Sequence, residues 1–568
     1  MHASLMPAAL PSRTMTPEPL IPAARAATRD RRDGAAAAAG ALSSGNIVEL
    51  ILRHCVARGS QAALITPASG VADNPDGLAT VEPNTLTFQE LERRVSALAA
   101  GLRRSGLRPG DRAAVLIQPG PDFAAIVIAL LAAGMVPVLL DGRLGRERAK
   151  DALRISRVRA VFARPETLRW WPAVRSLWRA RRFSVGGSCF RAKPIEMLEL
   201  EPEPLLVTAV GADDVAMMSF TSGSTGRAKA IRRTHGVLLA QHRAIDSSFP
   251  SQAGSTDMSC FPLVALHMLC CGVTSVSVPS AIADAVEALL LYEVRSLRAA
   301  PAFASELCAE LERRDMRLLG LESIQIGGGP VSASLAKRVI DRCPRAAAYA
   351  VYGCTEAEPI ASVPLAELAR SEGGGFLAGY PVAGASVRVV RLGLLPATVG
   401  EAGIAPLHAA SGEVGEVVVC GAHVDRGDET VPGSKIRAAD GSVWHRTGDA
   451  GRWDELGRLW LVGRTTDALS TSRGAVFPYP VEAAAGRIRG IRQAAVSQHV
   501  TTGDVAVAVR LAPSPGREWA PELRALLAEH GMAGADIHVT AEIPCDARHG
   551  SKVDRLALRR LLFDSAVR

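Results

Sequence analysis

An α/β fold is what three stretches of the sequence predict, and later alternating stretches add a mixed β region before a smaller C-terminal unit. Ala113-Ala114-Val115-Leu116-Ile117 is a buried-strand pattern, and Val215-Ala216-Met217-Met218 is a second apolar strand. Between them, Phe123 to Leu140 is an uncharged run that Gly134 and Pro137 divide into a helix of about 12 residues and a short strand near 136–140. Strand, helix and strand together point to a sheet covered on both faces. At ~1.5 Å per residue the helix spans only ~18 Å, short of a bilayer, so no transmembrane span is expected.

Taken in order, residues 1–43 are rich in Ala, Pro and Arg and lack the apolar core of a secretory signal, which predicts a disordered tail. Thr87 and Glu90 have the spacing of a capping box, and Leu91, Val95, Leu98 and Leu102 then recur at helical spacing until Gly106. The turn RPGD at 108–111 leads into the 113–117 strand. Farther on, Ala385 to Arg391 and Glu413 to Cys420 alternate as strands do, with Gly393 and Pro396 in the connection between them. After Gly463 short strands and helices follow, so a large domain over 44–463 and a small one over 464–568 are expected.

A chain of 568 residues with 48% hydrophobic content exceeds one ordinary core. The net charge of +8 forms no block, which argues against a nucleic-acid partner. Nearly all the basic charge is arginine: the six lysines are Lys150, Lys193, Lys229, Lys337, Lys435 and Lys552, and each is therefore a rarer choice than usual. The ten cysteines show no CxxC pair and no histidine spacing, which predicts neither a zinc nor a disulfide framework and suits a reducing, cytoplasmic location.

Five motifs carry the candidate chemistry. Thr221-Ser222-Gly223-Ser224-Thr225-Gly226 followed by Lys229 reads as a phosphate loop, with glycines freeing the backbone, hydroxyls beside N–H groups and a point charge at its end. It is not a Walker A sequence, and the same composition also describes a flexible linker. Gly327-Gly328-Gly329-Pro330 is a turn, and Tyr352-Gly353-Cys354-Thr355-Glu356 ends the strand-like run 346–351 with a flat ring, a close-approach glycine and an oxygen ligand for a hard cation. Thr447-Gly448-Asp449, with Gly463-Arg464 beyond it, has the residues of a turn as well as those of a site. Lys552, within PCDARHGSK at 544–552, is either a solvated charge or a catalytic one.

As an ordered set these motifs resemble the adenylate-forming superfamily of acyl-CoA synthetases, adenylation domains and luciferases, over roughly residues 46–560. The family pattern is close to TSGSTGxPK, and Ala228 stands here in place of the proline, which removes a turn constraint but no ligand group. The resemblance implies a large N-terminal domain of two α/β subdomains and a distorted β-barrel, with a small mobile α+β domain closing over it. ATP and Mg²⁺ are the implied cofactors and a carboxylic acid the substrate. By the same resemblance, residues 221–226 and Lys229 hold phosphate, Gly328 and Tyr352 flank adenine, Thr355 contacts phosphate and Glu356 holds magnesium. Asp449 accepts from the ribose hydroxyls, Arg464 pairs with ribose and phosphate at a hinge, and Lys552, Glu356 and Thr225 are the catalytic groups. Thr466 stands where the family commonly has Asp or Lys.

Phe261 to Ser275, YGCTEAEPI, Ser472 to Glu482 and PCDARHGSK are similar to the β-lactone synthetases of bacterial olefin biosynthesis. That similarity implies adenylation of a long-chain β-hydroxy acid, whose own hydroxyl then displaces AMP. CoA ligases usually carry a glycine pair near Arg473-Gly474, where one glycine stands here. The alternatives are a fatty acyl-CoA or acyl-carrier ligase, which alone would need CoA or a carrier protein, and a silent nucleotide-binding protein. The apolar stretch 261–268 suits an alkyl chain and equally suits core packing.

Overall fold

The chain's structure is a computed structural model describing residues 44–68, 83–140, 146–200, 203–222, 228–393, 395–400, 403–427, 433–516, 518–546 and 550–564. The tail expected over 1–43 lies outside the described residues. The uncharged run divides as its glycine and proline dictate, into the helix Pro121–Ala132 and the strand Val136–Leu139. Every residue from Ala125 to Ala132 is buried, so the helix needs no polar face. Beside it lies the helix Phe88–Arg104, opened by a capping box in which Thr87 N donates to Glu90 Oε2 at 2.8 Å and Glu90 N to Thr87 Oγ1 at 3.2 Å. Its Leu91, Val95, Leu98 and Leu102 are all buried, at ~1.5–3 kcal/mol for each side chain taken from water.

These helices cover a seven-stranded sheet in the order Lys193–Pro194, Arg181–Ser184, Ala160–Ala163, Arg112–Leu116, Val136–Leu139, Val215–Ser222, Ala228–Thr234. All neighbours are parallel except the last pair, which is an antiparallel hairpin.

A second parallel sheet runs Ala62–Thr66, Thr274–Val276, Thr256–Ser259, Ser296–Ala299, Ser323–Gly327, Ala347–Cys354. Its last strand reverses into Ala357–Pro364, and the sheet continues antiparallel through Phe376–Pro381, Leu459–Arg464, Val443–Trp453, Gly415–Cys420 and Ser386–Arg391. The β region is thus hydrogen-bonded to the second α/β sheet as one ladder. The turn expected over 352–356 is shorter than its sequence suggests. Tyr352, Gly353 and Cys354 remain in the strand, and only Thr355 and Glu356 separate it from Ala357, which pairs with Cys354.

Beyond Arg464 a hairpin of Leu469–Thr471 and Gly474–Val476 precedes the helix Pro478–Ala485 and a three-stranded sheet of Ile491–Gln498, Val505–Leu511 and Asp536–Val539. Alternation sorts the sheet's faces: Val507 and Val509 pack with Val481, Leu523 and Leu527, while Ala506 and Ala508 meet Leu558 and Leu562 of the terminal helix Arg555–Phe563. Asp554 caps that helix, accepting from Leu556 N at 3.1 Å and Ala557 N at 3.0 Å. Arg555 then forks onto Glu482, at 2.5 and 3.0 Å, and donates to Val496 O at 2.9 Å. Among the described residues no helix is long and apolar enough to cross a membrane.

One packing contact reverses an ordinary helix rule. Gly101 lies inside Phe88–Arg104, where alanine would normally be better by ~1 kcal/mol. A methyl there would stand 2.7 Å from Leu198 Cα and 2.8 Å from Leu198 Cβ, against the segment Ile195–Leu198. Gly101→Ala is therefore expected to destabilise the protein, by about 1–3 kcal/mol. Denaturant or thermal unfolding checks the sign, and a raised midpoint would contradict this packing.

Candidate active site

The two strands that flank the glycine-rich motif pair antiparallel in the first sheet. Thr221 pairs with Lys229 and Ser222 with Ala228, so residues 223–227 join two antiparallel strands. Gly223, Ser224, Thr225 and Gly226 lie outside the described residues, and Thr221 and Ser222 are described in their backbone alone. Lys229 leaves the hairpin and reaches the second sheet, its Nζ 2.5 Å from Glu356 Oε1. With 19% and 12% of their side chains exposed, the two groups form a largely desolvated pair.

The Thr355–Glu356 turn is held from several sides. Arg233, buried on the strand Ala228–Thr234, donates from Nη2 to Thr355 O at 2.7 Å and from Nη1 to Ser219 Oγ at 3.0 Å. Asp425 N donates to Glu356 O at 2.8 Å. Burial raises the Glu356 carboxyl, but the charges of His445 and Lys229 and the Lys229 hydrogen bond outweigh it and hold the group at about 2. His445 is itself pushed down to about 3 by burial and by Lys435. It is therefore neutral near pH 7, and Lys229 is the cation that keeps Glu356 ionised there. Lys435, also buried, donates to Asp425 O.

A cavity of about 70 Å³ lies beside this turn, and Gly328, Tyr352, Asp449, Arg464, Tyr479 and Lys552 all line it. Asp449 stands inside the strand Val443–Trp453, not in a turn, and is in register with Arg464 at the end of Leu459–Arg464. Tyr352 Oη donates to Asp449 Oδ2 at 2.7 Å, Arg464 Nε lies 3.2 Å from Asp449 Oδ1, and Arg464 Nη1 donates to Thr447 O at 2.9 Å. Burial and the adjacent carboxylate keep the Tyr352 phenol well above its ordinary value, so it stays a donor. Among the described residues each Asp449 carboxylate oxygen has one partner, and a carboxylate offers about four acceptor sites, so capacity for a ligand's hydroxyls remains. Tyr479, from the helix Pro478–Ala485, lines another wall, its ring packed edge-on to that of Phe376 with centroids 5.1 Å apart.

Lys552 is brought to the cavity by a loop folded on Asp546. Asp546 Oδ1 accepts from Ser551 N at 3.0 Å and Lys552 N at 2.8 Å, and Asp546 N donates to Lys552 O at 2.7 Å. The loop then seats at the start of the helix Pro301–Arg313, with Ser551 Oγ accepting from Ala302 N at 3.1 Å. Gly329 permits the approach: a methyl at this position would stand 2.6 Å from Ser551 Cβ. The glycine turn, the aromatic strand, the Asp449–Arg464 pair and the C-terminal lysine thus meet at one place, with Glu356 on the adjoining turn and Lys229 reaching it from the first sheet. Sequence reasoning missed Arg233, Asp425, Lys435 and His445. Of these Lys435 carried a signal, as one of six lysines in an arginine-rich chain.

Comparisons with known proteins place the chain in a family. The chain is 31% identical over 536 residues to the olefin beta-lactone synthetase of Stenotrophomonas maltophilia (strain K279a), covering 88% of this chain and 94% of that protein. It is 31% identical over 418 residues to a feruloyl-CoA synthase of Amycolatopsis sp, covering 70% and 77%. The O-succinylbenzoate coenzyme A synthetase of Bacillus subtilis, solved in complex with ATP and magnesium ion, superposes with a TM-score of 0.71 at 20% identity, over 90% of this chain and 99% of that one. The model of the AMP-binding enzyme family matches residues 68–427, from the first core through the turn that bears Glu356. The chain belongs to the AMP-binding enzyme family, the adenylate-forming ligases.

Proposed function

We propose that the protein joins a long-chain β-hydroxy acid to AMP and then closes the acyl adenylate to a β-lactone. The observation that carries the finer part is alignment length. The match to a β-lactone synthetase runs over 88% of the chain, whereas the match of equal identity to a CoA-forming synthase runs over 70%. The lone Gly474 beside Arg473 supports the same reading.

In this reading the units 44–463 and 464–568 are the two working parts, with the hinge at Arg464–Asp467. Asp449 takes the ribose hydroxyls of ATP, and Tyr352 and Gly328 bound the base. Glu356, an ionised oxygen ligand, is the residue that would hold Mg²⁺, and the ion when bound offsets phosphate charge. Carboxylate and triphosphate repel each other, so the chain's own contribution is to align them and neutralise charge. Lys552 supplies its charge where the carboxylate oxygen attacks the α-phosphorus and pyrophosphate departs. In the second step the β-hydroxyl oxygen bonds to the acyl carbon, the acyl–phosphate bond breaks to release AMP, and the hydroxyl proton passes to solvent. A nucleophile held within the substrate reaches effective concentrations of ~10⁵ M or more, which offsets part of the ring strain. The alkyl chain is assigned to the neighbourhood of the helix Pro262–Cys270, whose Leu263 and Leu266 also pack on the first core.

Lys552→Ala is expected to cut acyl-adenylate formation by about 10²-fold or more while ATP binding persists. Pyrophosphate release beside calorimetric ATP binding measures both, and undiminished release from the folded variant would remove Lys552 from the reaction. The finer reading is tested with a matched pair of long-chain acids, one β-hydroxylated and one plain, each with and without CoA. Mass spectrometry should find lactone and AMP from the hydroxy acid without CoA, and a stalled adenylate from the plain acid. Thioester from either acid only with CoA would replace the lactone reading by that of a CoA ligase, and no pyrophosphate from any acid would make the protein a nucleotide binder.

A further inference from the structure

Two helices bring together side chains that play no part in the adenylation site. His242 and Asp246 stand four residues apart, on one face of the helix His235–Ser248. His267 and Cys271 stand four apart at the end of the helix Pro262–Cys270, with Cys271 as its cap. The two pairs face each other. His242 Nδ1 lies 2.9 Å from His267 Nδ1, His267 Nε2 lies 3.6 Å from Cys271 Sγ, and Cys271 Sγ lies 3.7 Å from Asp246 Oδ1. Ligand atoms of His242, His267 and Cys271 all fall within 4.8 Å of one another.

We propose that His242, His267, Cys271 and Asp246 form a binding site for one zinc-class divalent ion. Two imidazoles, a thiolate and a carboxylate are the donors such an ion prefers. Around a tetrahedral zinc with bonds of ~2.0–2.1 Å to nitrogen and ~2.3 Å to sulfur, ligand atoms stand about 3.4 to 3.6 Å apart. Cys271 Sγ, 3.6 Å from His267 Nε2 and 3.7 Å from Asp246 Oδ1, already lies near that spacing, whereas loading needs the two imidazoles, 2.9 Å apart at Nδ1, to part. It also needs His267 to commit one ring nitrogen to the ion and leave the other for a hydrogen bond. Charge favours occupancy as well. Loading brings two positive charges and expels the Cys271 thiol proton to solvent, so that thiolate, carboxylate and dication sum to zero in a place with little water.

Bound there, the ion would tie the helix that follows the phosphate hairpin to the helix assigned to the alkyl chain. The linear sequence hides the site because its two ligand pairs, HxxxD and HxxxC, lie in separate helices and lack the short cysteine spacings of zinc motifs. The proposal is independent of which product the enzyme makes.

The test uses the full chain, stripped with EDTA, dialysed and titrated with Co²⁺ as a spectroscopic stand-in for Zn²⁺. The expected result is saturation at about one ion per chain, with thiolate-to-cobalt charge-transfer absorption and tetrahedral ligand-field bands that Zn²⁺ abolishes. C271S should lose the charge-transfer band, and H242N should weaken binding by about tenfold or more. Zn²⁺ should raise the melting temperature of the wild type and not that of H242N. His242 is only half-buried, so H242N keeps the test decisive where a change at buried His267 disrupts folding. No saturable Co²⁺ binding to the wild type, or an unchanged spectrum in C271S, would overturn the site.

Discussion

The active site depends on one close approach, that of Ser551 to Gly329. Asp546 gathers the N–H groups of Ser551 and Lys552 into a tight loop, and Ser551 Oγ takes the Ala302 N–H at the start of the helix Pro301–Arg313. These hydrogen bonds fix the height of the loop, and the missing side chain at 329 lets it come down far enough for Lys552 to line the cavity. A lysine on a terminal loop is ordinarily a solvated charge. This one lines the same cavity as the Asp449–Arg464 pair because its loop is seated on Gly329 and Ala302.

The rest of the site is stitched between sheets. Lys229 comes from the hairpin of the first sheet and Glu356 from the turn of the second, and Arg233 from the same hairpin grips the carbonyl of Thr355. A partly buried ion pair adds little net stability once desolvation is counted, so its value here is positional. It keeps Glu356 ionised and holds the hairpin that bears Lys229 against the strand bearing Tyr352. Arg555 plays the equivalent part near the C-terminal end of the chain. Beyond its fork onto Glu482 its Nε lies 3.6 Å from Asp467, which ties the terminal helix to the segment just past Arg464.

What was legible in the sequence was local. The capping box of Thr87 and Glu90, the split of the 123–140 run and the strands after 385 and 413 follow from spacing and from glycine and proline, and the structure forms each of them. The five ordered motifs supplied the family, and most of their described residues converge. Long-range pairing was not legible. Asp449 looked like a turn residue because Thr-Gly-Asp is turn chemistry, yet Gly448, at φ +71°, sits within a continuing strand. Arg233, Asp425 and His445 carry no local signal, since each matters only through residues far away in the chain. The histidines and cysteine of the proposed metal site were passed over for the same reason.

The most direct measurement of the central claim is a two-step kinetic comparison of wild type and Gly329→Ala. Pyrophosphate release reports the first step, and single-turnover consumption of supplied acyl adenylate reports the second. If docking of Ser551 on Gly329 is what presents Lys552, the added methyl should slow the first step by about tenfold or more, since a shift near 1 Å in a reacting group costs on that order or beyond. ATP binding and the second step should stay near wild type. Wild-type pyrophosphate release from a folded Gly329→Ala protein would contradict the account.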